Sequence, residues 1–394
     1  MKKSVFISLL LCMLISFSAH AALSDKAQIS LLTSSASDEA VFTLYGHAAI
    51  RVCDSSQNLD MVFNYGIFDF SKPNFIFRFA KGETDYMLGV TEYLNYVIEY
   101  QMRGSEVTEQ RLNLAQEEKE RIWQALFLNY EPQNRVYRYN FFFDNCATRP
   151  VVLVEKGVSG KLTYHHKPQP QTFRDLINHA TRNHPWLTFG CDLALGSPTD
   201  REATQHEELF LPQYLRQAFA KATITTPDGT SRPLVAETTI ISEADPEKAE
   251  YDAGIFTPLL CSTLFCLLIA AITLWEWRHR SYYRLVDCVL FFIAGLAGVV
   301  LFFLSFVSVH PCTFPNWSLV WLQPLDLVAV ILFSVKKLKK AAYYYHFINF
   351  AALTLMLVGW HFIPQHLNTA FIPLVATLWM RSGYSVYRNK LTNG

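Results

Sequence analysis

The stretch IFTPLLCSTLFCLLIAAITLWEW, residues 255–277, carries a single charged residue, Glu276. A helix needs ~20 predominantly apolar residues to cross the core of a bilayer, so this segment reads as a membrane span. Three more runs of the same kind follow: Val286–Val309, Trp317–Val335 and Tyr343–His361. A fifth, Thr369–Met380, is marginal in length. Only 17% of the 394 residues are charged, against ~25% in soluble domains, and the apolar excess begins at residue 255. Lys and Arg together equal Asp and Glu, 34 of each, so net charge says nothing about partners, and no nucleic-acid partner is expected.

The loops orient these spans, because basic residues next to a membrane stay on the cytoplasmic side. Arg278, Arg280 and Arg284 follow the first span, Lys336, Lys337, Lys339 and Lys340 the third, and Arg381, Arg388 and Lys390 the fifth. The loops HPCTFPN (310–316) and FIPQHLN (362–368) contain no Lys or Arg. Five spans, an exported N-terminal region and a cytoplasmic C-terminus satisfy every loop. The opening MKKSVFISLLLCMLISFSAHAA (1–22) has the basic start, apolar run and small-residue end of a secretory signal. Residues 23–254 are therefore expected to form one exported domain, and 255–394 a helical membrane domain of about five helices. Cys53, Cys146, Cys191 and Cys312 would face the oxidising side, where one or two disulfides fit; whether Cys53 pairs with Cys191 stays open. No close Cys or His spacing suggests a metal site, and no cofactor is implied.

Within the exported domain, VFTLYGHAAIRVC (41–53) reads as a strand whose alternation puts Ala48, Ile50 and Val52 on one face and His47, Ala49 and Arg51 on the other. DMVFNYGIF (60–68) reads as the next strand, with Val62 and Asn64 sharing a side. VTEQRLNL (107–114) is a further strand, and AQEEKERIWQALFLNY (115–130) an amphipathic helix with Ile122, Leu126 and Phe127 inward. Tyr137–Phe143 is a strand candidate that runs into DNCATRPVVLVEKG, where Pro150 suits a first helical turn and Gly157 a stop. Thr172 and Asp175 form a capping-box pattern. ATITTPDGTSRPLVAETTII (222–241) reads as a hairpin. The fold class is α+β followed by an all-α multi-span bundle.

Cys146 then stands at a helix start. A thiol attacks as thiolate, and a helix N-terminus with a neighbouring imidazole stabilises that anion. His47, preceded by Gly46 and turned away from its strand's apolar stripe, is the leading base, with Asn64 to hold its tautomer. His165 and His166 are the rival bases. A disulfide-bonded or buried structural Cys146 is the bland alternative. Asp326 in the membrane region is a functional candidate because a buried charge there is costly; Pro324 beside it suggests a broken segment. Trp317 and Trp321 are candidate interfacial anchors, and HPCTFPNW (310–317) a candidate lipid portal.

GHAAIRV (46–52), FNYGIFDF (63–70), YNFFFDNCATR (139–149), TFRDLI (172–177) and PWLTFGCDLALGSPTDR (185–201) together resemble the N-terminal periplasmic domain of the Lnb lipoprotein N-acyltransferases. The multi-span C-terminal part looks like theirs as well. The resemblance implies a permuted papain-like fold, with the His-before-Cys order of NlpC-type and lecithin:retinol acyltransferase relatives, in the bacterial inner membrane with the catalytic domain facing the periplasm. It implies Cys146 as nucleophile and His47 as base, with Asn64 as orienter. Cys146 and Ala147 would supply oxyanion N–H groups, Arg149 would position substrate, and Asp144 and Asn145 would serve as turn and cap residues beside it. TRPVVLVEKG departs from many members in lacking a further Arg-Asp pair. The implied reaction moves an acyl chain from a membrane phospholipid, through a cysteine thioester, to the α-amine of a diacylated lipoprotein. The alternatives are a phospholipase A-type hydrolase, a permuted papain-like cell-wall amidase or peptidase, and a membrane scaffold without activity.

Overall fold

The computed structural model describes residues 22–69, 71, 73–165, 169–246 and 254–393. The expected signal segment, 1–22, lies outside the described residues apart from its last position, and so does His166. The chain divides into two compact units. A sheet unit comprises Met1–Asp69, Asp85–Lys167 and Leu209–Ala249, and a membrane unit comprises Phe70–Thr84, Pro168–Glu208 and Glu250–Gly394. This partition differs from a single cut at residue 254, because two segments of the exported region group with the spans.

Along the chain the described elements begin with β1 (Gln28–Ser34), β2 (His47–Asp54), β3 (Leu59–Ile67), α1 (Phe75–Lys81), β4 (Asp85–Glu92), α2 (Tyr93–Met102) and β5 (Val107–Leu112). Next come α3 (Gln116–Tyr130), β6 (Val136–Arg138), α4 (Thr148–Gly157), β7 (Lys161–Thr163), α5 (Phe173–Ala180), α6 (Pro185–Ala194) and α7 (Pro212–Lys221). The exported region closes with β8 (Thr223–Thr225), β9 (Ser231–Pro233) and β10 (Val235–Ser242). The long helices are α8 (Pro258–Arg278), α9 (Arg284–Phe306), α10 (Leu325–Ser334), α11 (Lys339–Val358) and α12 (Phe371–Asn393).

The sheet unit is built on an antiparallel sheet in the order β10-β5-β1-β2-β3-β4-β6. Alternation along β2 and β3 runs as the sequence predicts. Ala48, Ile50, Val52, Phe63 and Tyr65 face a core closed by Ile122 and Leu126 of α3 and by Val151 and Val154 of α4. The opposite face is not left to solvent: Leu32, Ala49 and Val62 pack beneath Tyr96, Val97 and Tyr100 of α2. His47 therefore stands at the edge of a second apolar layer.

Three expected strands are corrected. Residues Val41–Tyr45 form a 3-10 turn instead, and the strand starts only at His47. Gly46 makes the change of direction at φ +72°, where a Cβ would lie 2.6 Å from the Ser34 carbonyl oxygen. Beyond Arg138 the chain turns rather than continuing to Phe143, closed by the backbone pair Asn140–Asp144. The PDG hairpin joins β8 to β9 beside β7, whereas Val235–Ser242 leaves it to edge the large sheet. The helix α4 ends at Gly157, as the sequence suggests. A Cβ there would meet Ile122 Cγ1 at 2.3 Å, so the glycine lets α4 approach α3 closely.

In the membrane unit, Pro258–Arg278, Arg284–Phe306, Trp317–Ser334 and Lys336–Val358 are long and apolar enough to cross a membrane. The third is broken as Pro324 suggested: a 3-10 turn, Trp317–Val320, precedes α10, which is ten residues long. That is about 15 Å of helix against a ~30 Å hydrocarbon core. Asp326 is buried there and accepts from Tyr345 Oη at 2.5 Å, which gives it a structural partner. Trp321 is buried against Phe371 rather than anchored at an interface. The fifth helix is longer than the apolar run, extending to Asn393. Arg381 consequently sits inside α12 and not in a loop.

Arg381 is fully buried, donating through Nε to Asp287 at 2.7 Å and through Nη1 to Thr273 at 3.0 Å and to Glu276. Glu276 and Asp287 are buried as completely, so α8, α9 and α12 share one charge cluster. In the connections between spans, Asn368 Nδ2 donates to Asp192 Oδ2 at 2.9 Å, Asn316 Nδ2 to the Leu193 carbonyl at 2.9 Å and Gln365 Nε2 to the Leu195 carbonyl at 3.0 Å. Arg174, itself buried, ties Asp192 at 3.0 Å to Asp200 at 2.7 Å. Arg381→Met strands two buried carboxylates and is expected to cost about 3–5 kcal/mol, read as a lowered melting temperature in detergent. An unchanged melting temperature would remove the cluster from the account of bundle stability.

Candidate active site

FFFDNCATR reaches its conformation through one buried amide. Asn145 Oδ1 accepts the N–H groups of Ala147 at 2.8 Å and Thr148 at 2.9 Å, and Nδ2 donates to the carbonyls of Phe141 and Phe210, each at 2.8 Å. In return Asn145 N–H donates to Thr148 Oγ1 at 2.7 Å. Two of the unpaired N–H groups at the start of α4 are thereby satisfied, and Cys146 is presented just ahead of the helix as a half-buried free thiol. Phe142 is buried, while Phe141 packs edge-on against Tyr45 and Phe210 and Phe143 is exposed. Gly66, at φ +94° in an irregular stretch of β3, comes so close that a Cβ would lie 3.5 Å from Cys146 Cβ.

The start of β2 meets this loop. The Ala48 N–H points at Cys146 Sγ, as do the N–H groups of Cys146 itself and Ala147. The adjacent His47 places Nε2 2.5 Å from Asn64 Oδ1 on the neighbouring strand. An amide oxygen only accepts, so Nε2 carries the proton and Nδ1 is left as the basic nitrogen. The His47 ring lies parallel to Tyr100, centroids 5.9 Å apart. Cys146, just ahead of α4, thus meets the start of β2, and His47 on that strand meets Asn64 of β3. His165, the rival base, is bonded instead to Thr223 Oγ1 at 2.8 Å beside the small sheet.

The expected thiolate is corrected by burial. Desolvation pushes the Cys146 thiol up to about 11, more than the three N–H groups aimed at it can offset. Desolvation also lowers His47 to about 4; the bond to Asn64 works against this and the charge of Arg103 adds to it. Near neutral pH the resting pair is a thiol and a neutral imidazole, not an ion pair. Several tyrosines that sequence reading passed over lie within the electrostatic reach of the thiol. Tyr86, Tyr96, Tyr100, Tyr137 and Tyr139 are all raised, first by burial and in part by the field of a charged Cys146. The i, i+4 spacing of Tyr96 and Tyr100 was the one local signal for part of this group.

The other expected residues are engaged structurally. Ala147 N–H is already bonded to Asn145, which leaves the Cys146 N–H as the better oxyanion donor. Asn145 is buried, with its amide used on both sides, and faces no open space. Arg149 holds Asp144 through two bonds, 2.6 and 2.8 Å, and its guanidinium lies 3.4 Å from the Tyr137 ring centroid. Arg149 also borders a cavity of about 550 Å³ between α3 and α4, together with Leu128, Phe143, Val152 and Lys156. Among the described residues no His, Cys, Asp and Glu group could hold a metal ion.

These ionisations set the pH behaviour. His47 is held below its ordinary ~6.5, so the unfolded chain takes up that proton first. Its contribution to stability is full above ~6.5 and is lost as pH falls towards 4. The acid limb of kcat/KM is expected near pH 4, and thiolate absorbance at 240 nm is expected to rise only towards pH 11. A thiolate already formed at pH 7 would overturn the neutral-pair assignment.

Residues 16–179 match the family model described as the Lnb N-terminal periplasmic domain, and residues 249–391 match the Lnb transmembrane domain. No curated protein and no solved structure matches the chain. Matched by both models in succession, with an α+β domain followed by membrane-capable helices, the chain belongs to the Lnb family, membrane proteins with a periplasmic domain whose domains support lipoprotein maturation of the acyl-transfer type.

Proposed function

We propose that the protein is a lipoprotein N-acyltransferase that uses Cys146 as nucleophile, His47 as general base and acid, and Asn64 to fix the imidazole. The observation that carries this reading is the meeting of Cys146 with the start of β2, where Ala48 N–H reaches the thiol and His47 is held through Nε2 by Asn64. A neutral imidazole with Nδ1 unprotonated is the form that accepts a thiol proton as attack begins.

In the first half-reaction Cys146 Sγ bonds to an ester carbonyl carbon of a phospholipid while its proton passes to His47. The oxyanion develops against the Cys146 N–H. The ester C–O bond then breaks, the leaving alkoxide takes the proton from His47, and a lysophospholipid departs from the thioester. In the second, the α-amine of a lipoprotein's diacylglyceryl-cysteine attacks the thioester, loses a proton to His47 and expels the thiol, which regains it. The product is a triacylated lipoprotein. Desolvation around Cys146 favours transfer over hydrolysis because it limits water at the thioester. Arg149, with Asp144 and Tyr137, supports the loop, and Asn145 and Ala147 hold the helix start. On this reading the protein is inserted in the bacterial inner membrane after export directed by residues 1–22, and needs no cofactor.

Purified protein with phospholipid and a diacylated lipopeptide is expected to add one acyl mass to the lipopeptide. Cys146→Ser is expected to abolish both the transfer and the acyl-enzyme, and His47→Ala to slow transfer ~10²–10⁴-fold. Transfer surviving in Cys146→Ser sinks the assignment. Free fatty acid and lysophospholipid without an acylated lipopeptide would identify a phospholipase instead.

A further inference from the structure

Helix α1 lies in the segment between β3 and β4 but belongs to the membrane unit. It has seven residues, FIFRFAK, and none of them is buried. So short a helix is not stable by propensity. Its ties run to the outer end of α9 and the loop beyond it. Val309 N–H donates to the Lys81 carbonyl at 2.8 Å, His310 Nε2 to the Phe79 carbonyl at 2.6 Å, and the Phe77 ring lies 5.9 Å from Phe303. Gly82 permits the approach: at φ +76°, a Cβ there would stand 2.9 Å from His310 N.

These ties fix the depth of α1. Phe303 is three residues inside the end of α9, about 4.5 Å along a helix axis, so α1 lies level with the last turn of a membrane-capable helix. Yet Ile76 is 83% exposed, Phe77 58% and Phe79 49%. Phe302, Phe306 and Phe314 are exposed at the same end, their rings in a chain with centroids 4.7 and 4.9 Å apart. An apolar patch of this kind marks an interaction surface. Its continuity with the outward face of α9 selects the occupant, since the lipid covering that face reaches α1 as well.

We propose that α1 is a foot seated in the outer leaflet, with Ile76, Phe77 and Phe79 lodged at the boundary between headgroups and acyl chains beside α9. Its partner is the phospholipid leaflet itself. Because α1 lies on the connection that follows β3, the strand that carries Asn64 is joined directly to a lipid-immersed element.

Full-length protein with Ile76→p-benzoylphenylalanine, in nanodiscs of phosphatidylethanolamine and phosphatidylglycerol, is expected to give a phospholipid adduct by mass spectrometry on irradiation. The same replacement at exposed Glu202 is the comparison and should give little. Equal lipid adduct at the two positions, or an adduct at Ile76 with a second copy of the chain, overturns the proposal. This readout needs no catalysis, so it stands apart from the proposed reaction. As a second measurement, Ile76→Ser with Phe79→Ser is expected to lower transfer to a bilayer-borne acceptor roughly tenfold or more, the equivalent of one buried apolar side chain. Alkylation of Cys146 by iodoacetamide in detergent should be unchanged. Equal loss of both would assign α1 a structural role and overturn the proposal.

Discussion

The side chain of Asn145 binds four backbone groups, and the candidate site depends on those bonds. Two are N–H groups at the start of α4, and two are carbonyls, one from the phenylalanine turn and one from Phe210 ahead of α7. An amide can donate and accept at once, which neither a carboxylate nor a hydroxyl could do for this pair of demands. Without it these bonds between the phenylalanine turn, Phe210 and the start of α4 would be lost, and with them the hold on the loop that presents Cys146. The residue that makes the loop possible thus touches no substrate in the proposed reaction.

Burial is the second constraint, and it acts on the chemistry rather than the shape. The N–H groups aimed at Cys146 favour the anion, while the apolar enclosure disfavours it, and the enclosure dominates. The same enclosure discharges His47. Both groups are therefore neutral near pH 7. Such a pair spends little time as a reactive thiolate, which suits a protein expected to work on the oxidising side of a membrane.

The face alternation of β2 and β3, the helix over 116–130 and the helix start after Cys146 were legible because each rests on local periodicity or capping. His47 and Asn64 were legible as neighbours for the same reason, being on adjacent strands with side chains on one face. The turns at Val41–Tyr45 and Asn140–Asp144 were not. Most of their residues are β-branched or aromatic and mimic a strand, whereas the turning rests on Gly46 close to Ser34 and on Asn140 bonding the N–H groups of Phe142 and Phe143. The burial of the thiol escaped the sequence because the groups that approach it, Ala48 at the start of β2 and Gly66 of β3, are distant in the chain. Arg381 misled for a related reason: a buried arginine and a loop arginine are the same letter, and only Glu276 and Asp287 on two other helices tell them apart.

The interleaving of the two units follows from segments 70–84 and 168–208, which leave the sheet unit and return to it. Arg174 and its partners Asp192 and Asp200 all lie in the second excursion, where Asp192 and the carbonyls of Leu193 and Leu195 accept from Asn368, Asn316 and Gln365 in the connections between spans. A soluble fragment ending at residue 254 would keep every residue of the proposed site. It would nevertheless lose the bonds that Asn316, Gln365 and Asn368 make to Leu193, Leu195 and Asp192, and those that Val309 and His310 make to Lys81 and Phe79. A cut placed by the border between the family matches alone would therefore sever the contacts of Asp192, Leu193 and Leu195, which lie outside both of them.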